Sequence, residues 1–424
     1  MYDVTDMDIL IKNVLIPCGD GTEKSNILIS DGVISDIGSD VTATESCRVI
    51  NGERRLAIPA LINTHTHAYM TLMRGCADDL PFEKWLFEGV MPREDRMQSD
   101  AAYWSCMLAC TEMIKSGTGT FCDMHMFPGA SAEAALKTGM RAVITRGLSG
   151  SNGGERRLNE QFAEIEKYGQ EERLSFMLAP HAIYTCDRPY LERISALARE
   201  KDLGIHIHVS EGINEVESCI KEHGISPVEY LDSLGLLSEK TLAAHCVHLS
   251  DRDIGIFAER GVSVSANAKS NLKLGNGIAP IARLDEAGVN ICLGTDSTAS
   301  NNSLNLFSEM NFTALIHKGL HRDPTVIPAK RVFEYATKGG AKALHLEKVG
   351  ELAVGCRADI ALLNTDCPSM IPLGDVSSTL CYSANGSEVD TMIIDGQTVM
   401  ENRTLTLVDE EEIIYNAKRF AKEV

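Results

Sequence analysis

Two histidines, His65 and His67, stand two residues apart at the end of an apolar run, Leu56 to Ile62. A run of that kind reads as a buried strand. In an extended strand, residues i and i+2 point to the same side. Two imidazoles therefore leave one face of a strand end, where they suit a single metal ion. A catalytic zinc takes about three protein ligands and keeps one open position, so the pair needs partners from elsewhere. Further polar clusters follow strand-like runs: His206, His208 and Glu211; then His245; then Asp296 within Leu-Gly-Thr-Asp-Ser.

Two histidines, a third from another strand and a carboxylate make a site for zinc or iron(II). His208 is the better ligand candidate than His206, because it lies nearer the strand end and Glu211 follows it closely. Glu211 then sits beside the metal-bound water, where it can shuttle a proton if a dry pocket raises its pKa. Asp296 can be both a weak ligand and the base for the water proton. His245 can hydrogen-bond the nucleophile or the oxyanion. A bound divalent ion brings the pKa of water to about 7, which makes a nucleophile at neutral pH. Two-metal barrel hydrolases often take a bridging ligand from their fourth strand, commonly a modified lysine. The fourth run here, Leu174 to Ile183, has no lysine, so a single metal is expected.

Each feature alone has a plainer reading. Asp296 would cap a helix beginning at Ser297, His245 would be a satisfied core histidine, and His-x-His would be two ordinary histidines. Their joint placement at four strand ends favours the metal. His223, His317, His321 and His345 fall on helix-like or loop stretches and read as surface residues; His125 and His248 are ambiguous. Cys106 and Cys110, at helix spacing, read as small residues on a packed helix face.

The elements that must position these groups alternate. Strands are expected at Ile58 to Asn63, Gly119 to Met124, Ala142 to Arg146, Leu174 to Pro180, Gly204 to Val209, Thr241 to His245, Val262 to Ala266 and Val289 to Gly294. Amphipathic stretches such as Ala101 to Lys115 and Pro189 to Glu200 lie between them, and Pro328 to Leu346 reads as a helix. Eight β–α alternations over roughly 250 to 300 residues make a (β/α)8 TIM barrel, whose active site lies at the C-terminal strand ends. No Gly-x-Gly-x-x-Gly turn follows the first strand, so a dinucleotide-binding open sheet lacks support. Towards the start, Asp31-Gly32 separates two β-like runs, and Gly19 to Thr22 reads as a turn; towards the end, Asp395-Gly396 does the same as Asp31-Gly32. Both are hairpin signals. The two ends are therefore expected to form one small β-sandwich domain, residues 1–57 plus 350–424, with the barrel over 58–349.

With 60 acidic residues against 40 basic ones, the net charge is −20. Such a surface repels phosphate backbones, so nucleic acid is excluded as the main partner. No apolar stretch approaches the roughly twenty residues of a membrane span. The acidic start has no signal-peptide pattern. The 13 cysteines include no Cys-x-x-Cys pair, which favours free, mostly buried thiols in a reducing cytoplasm.

Several phrases resemble the metal-dependent amidohydrolase superfamily, and its methylthioadenosine/S-adenosylhomocysteine deaminase branch in particular. They are Asn63-Thr-His-Thr-His67, Leu72-Met-Arg-Gly-Cys-Ala-Asp-Asp-Leu80, Thr145-Arg-Gly147, Ile205-His-Ile-His208, Leu242-Ala-Ala-His-Cys-Val-His-Leu249, Ser270-Asn-Leu-Lys-Leu274, Gly294-Thr-Asp-Ser-Thr-Ala-Ser-Asn-Asn302 and Gly350-Glu-Leu-Ala-Val-Gly-Cys-Arg-Ala-Asp359. The resemblance spans nearly the whole chain. It implies a barrel with a β-sandwich from both chain ends, and one divalent metal (zinc, with iron or manganese as alternatives) on His65, His67, His208 and Asp296. It also implies catalytic roles for Glu211, His245 and Asp296. A metal-bound hydroxide would add to the amine-bearing carbon of an adenosine-type nucleoside. Glu211 would protonate the adjacent ring nitrogen, Asp296 would take the hydroxide proton, and ammonia would leave an inosine-type product.

On the substrate side, the resemblance matches Glu94 to a carboxylate that holds ribose hydroxyls. It matches His181 to a purine- or ribose-contacting histidine and Trp85 to a cover for the thioether end. Arg146 and Arg157 match arginines that fork onto a homocysteine carboxylate; Arg156 adjoins Arg157 and competes for that role. A small-molecule nucleoside is the expected partner, with neither nucleic acid nor membrane, and a homo-oligomer is expected. The same-fold alternative is an aminohydrolase or chlorohydrolase of a guanine-, pterin- or triazine-like heterocycle. Two departures bear on the substrate. Ala266-Asn267-Ala268 stands where a His-Asn-Pro phrase is usual, removing an imidazole and a proline from the site mouth. Ala68-Tyr69 follows His67 where a proline often stands. Pocket walls of this kind decide which group on the ribose fits.

Overall fold

The computed structural model describes residues 7–19, 21–42, 47–150 and 153–424. Asp20, inside the turn expected over Gly19 to Thr22, lies outside the described residues. The chain opens with β1 (Ile9–Cys18), β2 (Gly21–Ser30), β3 (Val33–Gly38), β4 (Arg48–Asn51) and β5 (Arg55–Pro59). Eight strands follow: β6 (Leu61–Thr66), β7 (Thr118–His125), β8 (Arg141–Leu148), β9 (Leu174–Pro180), β10 (Gly204–Val209), β11 (Thr241–His245), β12 (Ser263–Ala266) and β13 (Asn290–Leu293). The chain ends with β14 (Ile360–Asn364), β15 (Val389–Ile394), β16 (Gln397–Glu401) and β17 (Thr404–Leu405). None of the helices among the described residues is long and apolar enough to cross a membrane.

The terminal strands join into one mixed sheet, ordered β17-β16-β15-β14-β5-β1-β2-β3, with β4 paired to β1. Both Asp-Gly signals are hairpin turns: Asp31 and Gly32 have φ of 51° and 73°, and Asp395 and Gly396 have 53° and 74°. Two positive φ values match the right-handed twist of the flanking strands. The other eight strands run β13-β12-β11-β10-β9-β8-β7-β6, with parallel pairing throughout.

The strand expected over Ile58 to Asn63 is in fact two. Ile58 lies on β5, opposite Ala361 of β14, whereas Ile62 lies on β6 beside β7. The chain changes sheets at Ala60, whose N–H donates to Asp359 (2.9 Å), while Leu61 N–H donates to Gly117 (2.9 Å). Both strands are buried on both faces, so one unbroken apolar run conceals the crossover. The helix expected over Pro328 to Leu346 is also interrupted, by a π turn at Tyr335–Gly339.

Ile62, Cys122, Val143, Met177, Leu242 and Cys292 come from six strands and pack together as the barrel filling. The seam between β13 and β6 closes through Thr64 Oγ1 to Leu293 O (2.9 Å), Thr295 N to Asn63 Oδ1 (3.0 Å) and Asp296 N to His65 O (2.9 Å). Gly294 makes that approach possible. A Cβ there would lie 2.7 Å from the His65 Cβ and 2.5 Å from both Ser265 Oγ and Asn267 Oδ1. The seam thus joins two of the selected residues, His65 and Asp296, at the C-terminal rim.

One buried ionic junction ties barrel to sheet. Arg141, the first residue of β8, reaches Asp359 (3.0 Å) and Asp395 (3.1 Å). Removing one partner from a buried pair strands the other charge. Arg141→Met is therefore expected to lower unfolding free energy by about 3 kcal/mol, measured by urea denaturation, with kcat unchanged.

Candidate functional site

β6 shifts its pairing register with β7 between Asn63 and Thr66. The irregularity brings His65 to the same interior side as Ile62. His65 Nδ1 lies 2.8 Å from His206 Nε2, and His206 Nδ1 lies 3.5 Å from Cys122 Sγ. Protonating both rings at Nδ1 satisfies this relay and leaves His65 Nε2 with a lone pair. That atom is buried and has no hydrogen-bond partner. His67 Nδ1 donates to Met124 O (2.8 Å) and His208 Nδ1 to His181 O (2.8 Å). Each carbonyl fixes a tautomer whose Nε2 lone pair is available to a metal. One ligand atom from each of His65, His67 and His208 falls within 4.8 Å of the others.

Asp296 stands across from them, with Oδ1 3.5 Å from His65 Nε2 and 3.4 Å from His67 Nε2. Its Oδ2 accepts hydroxyls from Ser270 (2.6 Å) and Ser300 (2.9 Å). Burial alone would raise its pKa, but the neighbouring imidazoles of His65, His245 and His67 outweigh it, so the carboxyl sits well below the usual range. No helix begins at Ser297, so the plain capping reading does not apply. An orphaned buried nitrogen, two carbonyl-fixed imidazoles and a carboxylate fit a divalent ion.

Glu211 and His245 face each other above this set, with Oε2 and Nε2 3.7 Å apart. Burial chiefly raises the Glu211 pKa. Its Oε1 accepts from Asn276 Nδ2 (3.0 Å). His245 donates Nδ1–H to Asn271 Oδ1 (2.8 Å). Burial opposes protonation of His245, but the charges of Glu211 and Asp296 prevail and raise its pKa. Ser210, His245 and Asp296 have φ of 51°, 72° and 60°, the left-handed strain that collects at functional sites.

A cavity of about 390 Å³ opens over this centre. Its wall includes His67, His208, Glu211, His245 and Asp296, together with all five substrate-side residues: Trp85, Glu94, Arg146, Arg157 and His181. Trp85 is buried and donates Nε1–H to Ala299 O (3.2 Å). Burial holds the His181 pKa down to about 4. Arg146 pairs with Glu160 (2.9 Å), and Arg157 donates to Ser149 O (3.0 Å). Arg156 is exposed, pairs with Glu160 (2.8 Å), and does not line the cavity.

Sequence reasoning passed over several residues here. Glu215, on the turn after Glu211, accepts the backbone N–H groups of Ser210 (3.0 Å) and Glu211 (3.0 Å) and so holds the loop that carries Glu211. Asn276 and Asn271 were hidden too, although Asn271 lies within the Ser270-Asn-Leu-Lys phrase. Two expectations need correction. His317 is buried, 2 % exposed, because it faces inward from the helix Leu306–His321. Ala266 and Ala268 do not open the cavity mouth; they line a separate narrow void with His317. A second cluster, Cys106, Asp123 and His125, meets its needs internally. Phe127 N–H donates to His125 Nδ1 (2.7 Å), which leaves Nε2–H pointing at Cys106 Sγ (3.0 Å).

The amidohydrolase family profile matches residues 56–399. A protein of Dictyoglomus turgidum named 5-methylthioadenosine/S-adenosylhomocysteine deaminase is 42% identical over 98% of each chain. A protein of Methanothermobacter thermautotrophicus named 5'-deoxyadenosine deaminase is also 42% identical over 98% of each chain. Among solved structures, a zinc-bound adenosine deaminase of Xanthomonas campestris superposes with a TM-score of 0.94, at 30% identity over 99% of each chain.

Proposed function

Because this chain belongs to the amidohydrolase family, we propose that it is a hydrolytic deaminase of adenosine-type nucleosides: methylthioadenosine, S-adenosylhomocysteine or adenosine. One observation carries the reading. His67, His208 and Asp296, with the buried His65 beside them and Glu211 and His245 above, form the floor of a cavity whose wall holds Glu94, Arg146, Arg157 and His181. The names of the two 42% relatives support the same substrate class.

A single divalent ion, zinc as in the Xanthomonas campestris structure, would be held by His65, His67, His208 and Asp296 and would supply Lewis-acid activation of a water molecule. The net reaction joins the water oxygen to the carbon bearing the exocyclic amine, breaks that C–N bond and releases ammonia. Asp296 accepts a proton from the water and passes it to the departing amine, and the proton left on the oxygen returns to Glu211 as the carbonyl forms. Glu211 gives its proton to the adjacent ring nitrogen, a task for which burial keeps its carboxyl protonated to higher pH. His245, made more basic by Glu211 and Asp296, donates from Nε2 to the oxygen as charge develops on it. Glu94 accepts the ribose hydroxyls, and the arginines sit where a homocysteine carboxylate would extend. No two cysteines among the described residues form a disulfide, which supports a reducing cytoplasm.

The test is to incubate zinc-loaded protein with a panel of adenosine derivatives. Ammonia release and the adenine-to-hypoxanthine absorbance change are expected with at least one of them. Turnover of aminotriazines or free bases, without any adenosine derivative, would move the assignment to the alternative class. Within the panel, Arg157→Ala is expected to raise the KM for S-adenosylhomocysteine by about tenfold, the worth of a charged hydrogen bond, and to spare methylthioadenosine. Equal losses for both substrates would remove Arg157 from carboxylate recognition.

A further inference from the structure

Of the two departures from the family phrases, the one at Ala68-Tyr69 reaches the cavity. Tyr69 lies in the 3-10 turn Ala68–Met73, is buried, and lines the cavity wall. Ser105 Oγ donates to its backbone carbonyl (2.6 Å). Its ring sits edge-on between two imidazoles, with centroids 4.7 Å from His125 and 6.2 Å from His67. Both imidazoles are tethered, His125 by Phe127 and Cys106 and His67 by Met124. The phenol is therefore held from three sides, and its hydroxyl donates to Glu94 Oε1.

Glu94 needs such a clamp. It ends the short helix Met91–Glu94, which follows a π turn at Trp85–Val90. No strand ladder holds this segment, and nothing else on the cavity wall hydrogen-bonds the carboxylate through a side chain among the described residues. A carboxylate offers about four lone-pair sites. Tyr69 takes one, which leaves enough for both hydroxyls of a vicinal diol.

We propose that Tyr69 is a positioning residue for sugar recognition: its hydroxyl fixes Glu94 so that the remaining carboxylate lone pairs face the ribose diol. The inference rests on the reading of Glu94 as the acceptor of the ribose hydroxyls. The Tyr69 hydroxyl bonds Glu94 and none of the metal-binding residues, and its removal leaves the ring against His67 in place, so its effect falls on binding and only on substrates that carry the diol.

The experiment compares wild type and Tyr69→Phe, both zinc-loaded, on adenosine and 2′,3′-dideoxyadenosine. Phe keeps the ring between the imidazoles, and an unchanged melting temperature verifies folding. Tyr69→Phe is expected to raise the adenosine KM by about tenfold, with kcat near wild type and the dideoxyadenosine KM unmoved. In a Glu94→Gln background the same change is expected to add little, because the two residues act as one unit. Equal KM shifts for both nucleosides, no shift for either, or a full additional loss in the Glu94→Gln background would overturn the proposal. Wild-type protein that deaminates no adenosine derivative, while turning over another heterocycle, would overturn the functional reading and this inference with it. Wild-type activity on adenosine with an unresponsive Tyr69→Phe overturns the inference alone.

Discussion

Glu211→Gln is expected to lower kcat by about 10²–10⁴-fold while leaving metal content unchanged. The substitution keeps the volume and the hydrogen bond from Asn276 to the side-chain oxygen. It removes the titratable proton that the proposed mechanism delivers to the ring nitrogen. Glu211 is only 7 % exposed, and burial is the chief cause of its raised pKa, so the lost group is an acid that keeps its proton to higher pH than a free carboxyl. It is absent from the clusters that bring ligand atoms within reach of one ion, which is why zinc stoichiometry by elemental analysis is expected to stay at the wild-type value. Wild-type turnover in this variant would remove Glu211 from the mechanism.

Stripping the metal with a chelator is expected to abolish deamination and to lower the melting temperature, with both restored by zinc. The physical reason is visible in the unpartnered, buried Nε2 of His65 and in the carboxylate oxygen held 3.4–3.5 Å from two imidazoles. These atoms are arranged for an ion that replaces the water they lost on folding. A ligand present at a hundred times its Kd stabilises the native state by about 2.7 kcal/mol, so scanning calorimetry should register a fall of several degrees on chelation. Full activity in protein shown by elemental analysis to be metal-free would exclude the ion from the chemistry.

Much of this site is legible in the residues themselves, because its ligands obey local rules. Period-two spacing puts His65 with His67 and marks His208 as the outer of its pair. Strand-end position carries Glu211, His245 and Asp296 to one rim. The strands at Leu174–Pro180, Gly204–Val209 and Thr241–His245 occupy the expected residues, since short apolar runs bounded by turns permit little else. The two Asp-Gly hairpins follow from the positive φ that only a few residue types tolerate.

Tertiary structure alone decided the rest. Ala60 looks like any residue in an apolar run, yet two sheets claim the segments on either side of it. Arg156 and Arg157 differ only in their phase on one helix, and that phase sends one to solvent and the other to the cavity. His317 reads as a surface residue until Leu306–His321 packs with it facing inward. Tyr69 and Glu94 are 25 residues apart, joined across a π turn that no periodicity predicts. Local pattern encodes which face of an element is apolar and which groups it can present. Which distant groups then meet depends on how elements of that kind pack, and a linear pattern does not carry that information.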